Sequence, residues 1–368
     1  MLKITFITTI NHNVGDDFIR EGIKYLLSKL NRPIEYEYIH KHSPITVVKG
    51  FERLRNYRIS QLLEFILPIL SNKDKILQAD IVIQSGAPVY WCHSGKPEAH
   101  CADNEWYKPL IKKRLCKSKA KFFNIAAGSC QTWESNGKEV TKCPKCSKYI
   151  KELSSVSALT TLRDNIASQM LDSLKIAAPV IPCTSIFVSD LLNIKPENPE
   201  YLALNFMSGG GHYEFGQKID YEKWDNEFTK FYNEIKDKEK TVFICHSKKE
   251  LKTAKTKFPD SETFYSENYV DYIKFYAKVK YGIMNRIHGA FPIISFGRPA
   301  VIIGNDSRAK MAEVVGSHSY FVNDMNFEKL TEIYKWLKTG ANDFENRFKI
   351  IKAQAEQDYL TIFTDSIL

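Results

Sequence analysis

The feature that most restricts this chain is a repeated local pattern: a short apolar strand, a polar turn at its end, then an amphipathic helix. Residues 3–10, KITFITTI, form the first apolar run, and the loop NHNVGDD follows. From about Asp16 to Leu30, Ile19, Ile23, Leu26, Leu27 and Leu30 recur at helical spacing. Gly15 and Asp16 supply a turn residue and a cap at the helix start. The pattern returns in ADIVIQSGA (79–87) and KFFNIAAGS (121–129), strands that end in glycine turns. It returns again in SALTTLRDN (157–165), whose helix runs to about Leu174. The proline-containing stretch IAAPVIPCTSIFVSD closes this half. Strands separated by helices imply a parallel sheet.

After a linker around NIKPENPE (193–200) the pattern restarts. The expected strands are YLALNF (201–206), TVFIC (241–245), KYGIMN (280–285), AVIIG (300–304) and a short one near 319–322. Helices are expected near 221–236, 247–257, 268–278, 288–297 and 308–315, then over 326–339 and 342–363. This divides the chain into an N-terminal domain, 1–196, and a C-terminal domain, 197–368. A cysteine-rich insertion covers about 88–150, and the last helix is placed to pack back on the N-terminal domain. Two doubly wound halves enclose one deep cleft. Ligands of open parallel sheets sit outside the carboxyl ends of the strands. That rule singles out the loops after residues 10, 86, 128, 162, 206, 245, 285 and 304.

The turn Asn285-Arg286-Ile287-His288-Gly289 joins an expected strand to an expected helix, which Gly297 and Pro299 close. Amides at a helix start attract anions, and Arg286 offers a permanent fork for phosphate or carboxylate. Gly289 suits close approach of a ligand. A histidine in the first turn feels the positive end of the helix dipole, so His288 is expected neutral when the site is empty. A bound dianion would push it towards the charged form, which suits a proton donor that loads with substrate. The bland alternative packs His288 in the turn and pairs Arg286 with a surface acid. Ser208, Gly209 and Gly210, within SGGGHYE, can cradle a diphosphate by backbone amides or simply form a loop over the cleft.

Formal net charge is +9 over 368 residues, with a basic concentration at Lys49, Arg53, Arg55 and Arg58. This favours anionic partners such as phosphorylated metabolites or an anionic membrane face. Nucleic acid has only the net charge behind it and is not expected. No run reaches the roughly 18 apolar residues of a membrane span. ISQLLEFILPIL (59–70), after KGFERLRNYR, suggests either a core helix or a basic-flanked helix in peripheral membrane contact. The N-terminal apolar run is too short for a signal peptide, so a cytoplasmic protein is expected. Its 8 cysteines then read as reduced thiols or metal ligands. Cys143 and Cys146 have the spacing of half a zinc knuckle. Cys130 and Cys101 are the chosen partners among Cys92, Cys101, Cys116 and Cys130, with His93 and His100 nearby. Such a Zn2+ would be structural and would pin the insertion.

NRIHGAFPIISFGRPAVIIGNDSRAK (285–310) resembles the signature of the polysaccharide pyruvyl transferase family, with Asp306 and Lys310 matching its end. The loop Asn13-Val14-Gly15-Asp16 resembles the family's Asn-x-Gly-Asp opening, and LRDNIASQML (162–171) its Arg-Asp segment. The resemblance implies two Rossmann-like domains facing across a cleft, like the GT-B glycosyltransferases. It implies transfer of a pyruvyl unit from phosphoenolpyruvate to two hydroxyls of a saccharide, lipid-linked in one version, forming a ketal and releasing phosphate. No cofactor is required for that catalysis. It carries the active-site roles to Arg163, His288 and Lys310. Arg286, Asn285 and Gly289 then hold the donor, and Asn13, Gly15 and Asp16 face the acceptor. Two stretches depart from the family pattern: Pro182-Cys183-Thr184 lacks the usual acid, and Ser85-Gly86-Ala87-Pro88 replaces a glycine-rich turn. The alternatives are a GT-B glycosyltransferase using a nucleotide sugar and a catalytically silent, zinc-stabilised binding protein.

Overall fold

The computed structural model describes residues 1–10, 13–54, 59, 71–92 and 103–367. The N-terminal half opens with β1 (Leu2–Thr8), α1 (Val14–Ser28) and β2 (Ile34–His40). β3 (Ile81–Ser85), β4 (Pro88–Tyr90) and β5 (Lys121–Ser129) follow. Then come α2 (Pro144–Val156), β6 (Leu159–Leu162) and α3 (Asn165–Ser173). The sheet order is β2-β1-β3-β5-β4, with β6 also on β5, and every pairing is parallel. β2 and α2 were not expected from the sequence. β2, IEYEYIH, is only half-buried along most of its length, as an edge strand can be, so its apolar signal is weak.

The second sheet begins with β7 (Tyr201–Asn205), α4 (Tyr221–Ile235) and β8 (Thr241–Ile244). α5 (Lys248–Lys257), β9 (Glu262–Phe264), α6 (Tyr269–Tyr276) and β10 (Val279–Met284) continue it. α7 (Ile287–Ser295), β11 (Ala300–Gly304) and β12 (Ser319–Phe321) complete it. Its order is β12-β11-β10-β7-β8-β9, again all parallel. β7 and β10 are the strands between which the winding reverses, and in the first sheet β1 and β3 play that part. In a doubly wound sheet the crevice opens at such a switch point. The expected helix at 308–315 is two short turns, Ser307–Lys310 and Met311–Val314.

Two long helices end the chain, α8 (Phe327–Thr339) and α9 (Ala341–Ile367). α9 crosses back to the first sheet. Lys352 on it pairs with Asp190, Tyr359 donates to Pro182 O, and Lys121 donates to Ser366 O. One hydrophobic core runs through both halves, from Phe6 and Ile83 to Ile294 and Phe363. α1 is its hinge-pin: Phe18 on it meets the rings of His246, Tyr272 and Tyr276 edge-on. Among the described residues no helix is long and apolar enough to cross a membrane. Except for Ile59, the expected segment 59–70 lies outside the described residues, as do Arg55, Arg58, His93, His100 and Cys101.

Candidate active site

The two switch points face each other across a cavity of about 600 Å³. Its lining collects the ends of seven strands or the loops after them: Thr9, Gly86, Arg163, Met207, His246, Arg286 and Asn305. Five cations (Lys41, Arg163, Lys249, Arg286 and Arg308) and two carboxylates (Asp16 and Asp306) reach this wall. The surplus of positive charge selects an anionic ligand.

Asn285 is a clamp for the backbone. Its Oδ1 accepts from Met207 N at 2.7 Å and its Nδ2 donates to Ile303 O at 2.7 Å, tying the ends of β7, β10 and β11 together. Arg286 stands at the N-cap of α7, and no side chain caps that helix. The first turn is therefore available to an anion. The Arg286 guanidinium is held from behind by Glu250, with Nε 2.9 Å and Nη2 2.5 Å from Oε1. Glu250 comes from a capping box, since Ser247 caps α5 and Glu250 bonds back to Ser247 Oγ and His246 N. Burial alone would raise the Glu250 pKa, but Arg286 dominates and holds it at about 2. Gly289 does not touch the cavity. A Cβ there would stand 2.6 Å from Met284 Cε, so the glycine serves helix–strand packing rather than ligand approach.

His288 is half-buried and lines the cleft. Burial, reinforced by Arg163, pushes its pKa well below the ordinary histidine value, against the pull of Asp16. Asn13 caps α1 through Gly15 N, and a Cβ on Gly15 would lie 2.9 Å from His288 Cβ. The Asn-x-Gly-Asp loop thus starts a helix, makes room for His288 and presents Asp16 to it. Burial works to raise the Asp16 pKa, but Lys41 at 3.2 Å, Thr9 Oγ1 at 2.5 Å and His288 together lower it. Cys183 Sγ lies 3.8 Å from His288 Nε2, where the family pattern leads one to expect an acid. Asp16 is the carboxylate that acts on this histidine instead.

Arg163 follows β6, is 2% exposed and donates from Nη1 to Gly86 O at 2.7 Å. Its Nε is buried with no partner. The neighbouring Asp164 carboxylate accepts from Ala167 N, Ser129 N and Ser129 Oγ. Lys310 is not on the cavity wall: its ammonium sits 5.2 Å from the Trp133 ring centroid. Arg308, two residues earlier, turns inward and is held by Asp306 at 2.8 and 2.6 Å. The side chain two positions back faces the cleft because the short turn Ser307–Lys310 replaces the expected regular helix.

Sequence reasoning missed Arg308, His246 and Asn305. Asn305 is 1% exposed, lines the cavity, and has neither Oδ1 nor Nδ2 partnered. His246 Nε2 lies 2.9 Å from Tyr276 Oη, and burial, against the pull of Glu250 and helped by Arg286, lowers its pKa to about 4. Both follow strand ends already singled out, so the signal was position rather than motif. Of the SGGG stretch, Gly210 and Gly211 reach the cavity, whereas Ser208 and Gly209 do not. Across the opening, Trp91 meets Tyr213 edge-on at 5.0 Å, and Arg308 covers the Tyr213 ring at 4.8 Å.

The cysteine expectation needs correcting. The buried thiols that gather are Cys92, Cys143 and Cys146, within 4.8 Å of one another. Cys130 is buried elsewhere, close enough to Arg308 and Asp306 to feel their charges, and burial pushes its thiol pKa well up. Cys101 lies outside the described residues.

The profile of the polysaccharide pyruvyl transferase family matches residues 13–307. The chain belongs to the polysaccharide pyruvyl transferase family. As a family member it is a transferase that modifies polysaccharide. No curated protein matches it by sequence. Among solved structures this pyruvyl transferase homologue resembles S. aureus MnaA in complex with UDP, at 11% identity over 95% of this chain and 90% of that one, TM-score 0.55. The UDP-GlcNAc 2-epimerase of Neisseria meningitidis aligns at 10% identity over 94% of each chain, TM-score 0.55. That of Methanocaldococcus jannaschii aligns at 15% over 96% of this chain and 99% of that one, TM-score 0.53. At such identities the likeness concerns the fold, two GT-B-like domains across a cleft.

Proposed function

We propose that the cleft transfers a pyruvyl group from phosphoenolpyruvate to two hydroxyls of a saccharide, a cell-surface glycan precursor, in the cytoplasm. The observation that carries this reading is the pairing of a neutral His288 on the cleft wall with Arg163, whose Nε is buried and unpartnered. Phosphoenolpyruvate has a carboxylate and a phosphate, and two separate cationic groups fit it better than one. Arg163 takes one anionic group. Arg308 and the first turn of α7, beside Arg286, take the other.

Arrival of the dianion offsets the field of Arg163 and raises the His288 pKa, so the histidine gains a proton with the substrate. It gives that proton to the methylene carbon, which becomes a methyl group and leaves C2 electrophilic. One acceptor hydroxyl adds to C2 and passes its proton to His288, which the transfer to carbon left neutral. The second hydroxyl then displaces phosphate, whose leaving charge Arg308 and Arg286 stabilise and which carries away the second proton. Asp16, held ionised, favours the charged form of His288 throughout. These side chains supply the chemistry without a cofactor. The wall of Trp91 and Tyr213, with the unpartnered amide of Asn305, suits the faces and hydroxyls of a sugar.

A second reading uses a nucleotide sugar, since the structures of like fold were solved with UDP or UDP-GlcNAc. Thermal shift separates the two. Phosphoenolpyruvate should raise Tm, and UDP-, GDP- and CMP-sugars should not; stabilisation by a nucleotide sugar alone would overturn pyruvyl transfer. Absence of phosphate release over a broad acceptor panel, in wild type and His288→Ala alike, would favour a silent binding protein.

A further inference from the structure

Away from the anion site, Cys92 follows Trp91 at the end of the β4 segment, and Cys143 and Cys146 lie at the start of α2. We propose that Cys92, Cys143 and Cys146 bind a structural zinc ion that fastens the Trp91 wall of the cleft to α2. All three thiols are buried, and their sulfur atoms lie within 4.8 Å of one another. Thiolates about 2.3 Å from a tetrahedral zinc lie about 3.8 Å apart, so a contraction of about 1 Å closes the triangle. Rotamer adjustment supplies that much movement.

The local backbone is already arranged for it. Cys143 is the N-cap of α2 and makes no side-chain cap bond, and Pro144 starts the helix. Cys146 then falls in the first turn, so both thiols of the pair stand at the start of one helix. Cys92 arrives from a distant part of the chain. The bland alternative is three thiols packed as small apolar groups, and their neighbours Val89, Val140, Tyr149 and Ile150 are apolar enough to allow it. Against it stands the coincidence of a C-x-x-C pair at a helix start with a third sulfur brought in from the cleft wall. Soft, all-sulfur donors select zinc over the oxygen-loving cations. On binding, each thiol gives up its proton to solvent, the three thiolates against the metal's two charges leave one net negative charge, and a fourth donor beyond these three sulfurs completes the tetrahedron.

The consequence reaches the cleft. Pro88 and Trp91 line the cavity, and Cys92 is the next residue. Cross-linking Cys92 to α2 closes a long loop and holds Trp91 against Tyr213. This second step rests on the ligand-site reading above; the zinc itself does not.

Elemental analysis of the full-length protein, purified without chelator, tests the metal directly. About one zinc per chain is expected. Cys143→Ser and Cys92→Ser should lose it, while Cys116→Ser, an exposed thiol outside the cluster, should keep it. Wild-type protein with near-zero zinc after zinc-supplemented expression overturns the proposal even if the serine variants fail to fold. Iron with acid-labile sulfide in place of zinc also overturns it. For the cleft wall, hydrogen exchange of wild type with and without a strong zinc chelator is decisive. Amides at 88–92 and 143–146 should exchange about tenfold faster once the metal is stripped. Unchanged exchange at 88–92 with zinc removed would leave the metal site standing and refute its anchoring of Trp91.

Discussion

His246 makes the protein acid-sensitive by an amount the structure sets. The residue is buried between Glu250, Arg286 and the phenol of Tyr276, and its pKa falls from 6.5 to about 4. A histidine whose folded-state pKa is depressed contributes stability that is present above the unfolded pKa and is lost as pH falls towards the folded value. The full difference of about 2.5 units corresponds to about 3 kcal/mol. Between pH 7 and pH 5 the loss is about 2 kcal/mol, because half a unit above 6.5 little is yet protonated even when unfolded. The perturbation is His246→Gln, which keeps an amide near Tyr276 and cannot titrate. Asp17, whose pKa burial raises to about 6, has the opposite pH slope but is present in both proteins and cancels in the comparison. Urea unfolding at pH 7, 6 and 5, followed by fluorescence and circular dichroism with coincident transitions, reads the slope. Wild type should lose about 2 kcal/mol more than the variant over this range. Parallel pH profiles within about 0.5 kcal/mol would show that His246 is not held neutral in the fold.

Other consequences concern the cleft. Replacing Arg163 with Ala removes a charged contact worth about 1.5–3 kcal/mol, so KM for phosphoenolpyruvate should rise about 10- to 100-fold; an unchanged KM would remove Arg163 from donor binding. His288→Asn should lower kcat about 100- to 10,000-fold while thermal stabilisation by phosphoenolpyruvate persists; retained turnover would refute its role as acid. Arg308→Ala should lower kcat/KM more than Lys310→Ala does, since the Lys310 ammonium rests on Trp133; the reverse order in steady-state kinetics would refute the assignment. Gly128→Ala places a methyl group 2.4 Å from Arg163 Nε and 2.9 Å from Asp164 Oδ2 and should raise KM and lower Tm; wild-type kinetics would show that Arg163 shifts without consequence.

Much of this could be read from residue order. Alternation of apolar strands and amphipathic helices depends on local periodicity, so the sequence alone determined two parallel-sheet halves. The direction of each strand then named the loops that line the cleft. The same reading placed Arg163, Arg286 and His288 at strand ends, and the motif around 285–310 pointed to the family. Side-chain direction was not local. Whether Arg308 or Lys310 faces inward depends on a short turn in place of a helix, and a one-residue change in winding swings a side chain by roughly a third of a turn. The role of Gly289 was decided by Met284 behind it, and the restraint of Arg286 by Glu250, in the first turn of the helix after another strand. Likewise, C-x-x-C spacing declared one pair of thiols, but only the fold could bring Cys92 to that pair and send Cys130 towards Arg308 and Asp306. Periodicity is a property of neighbours along the chain; a site is made of neighbours across it, and their meeting is fixed by how the sheets pack.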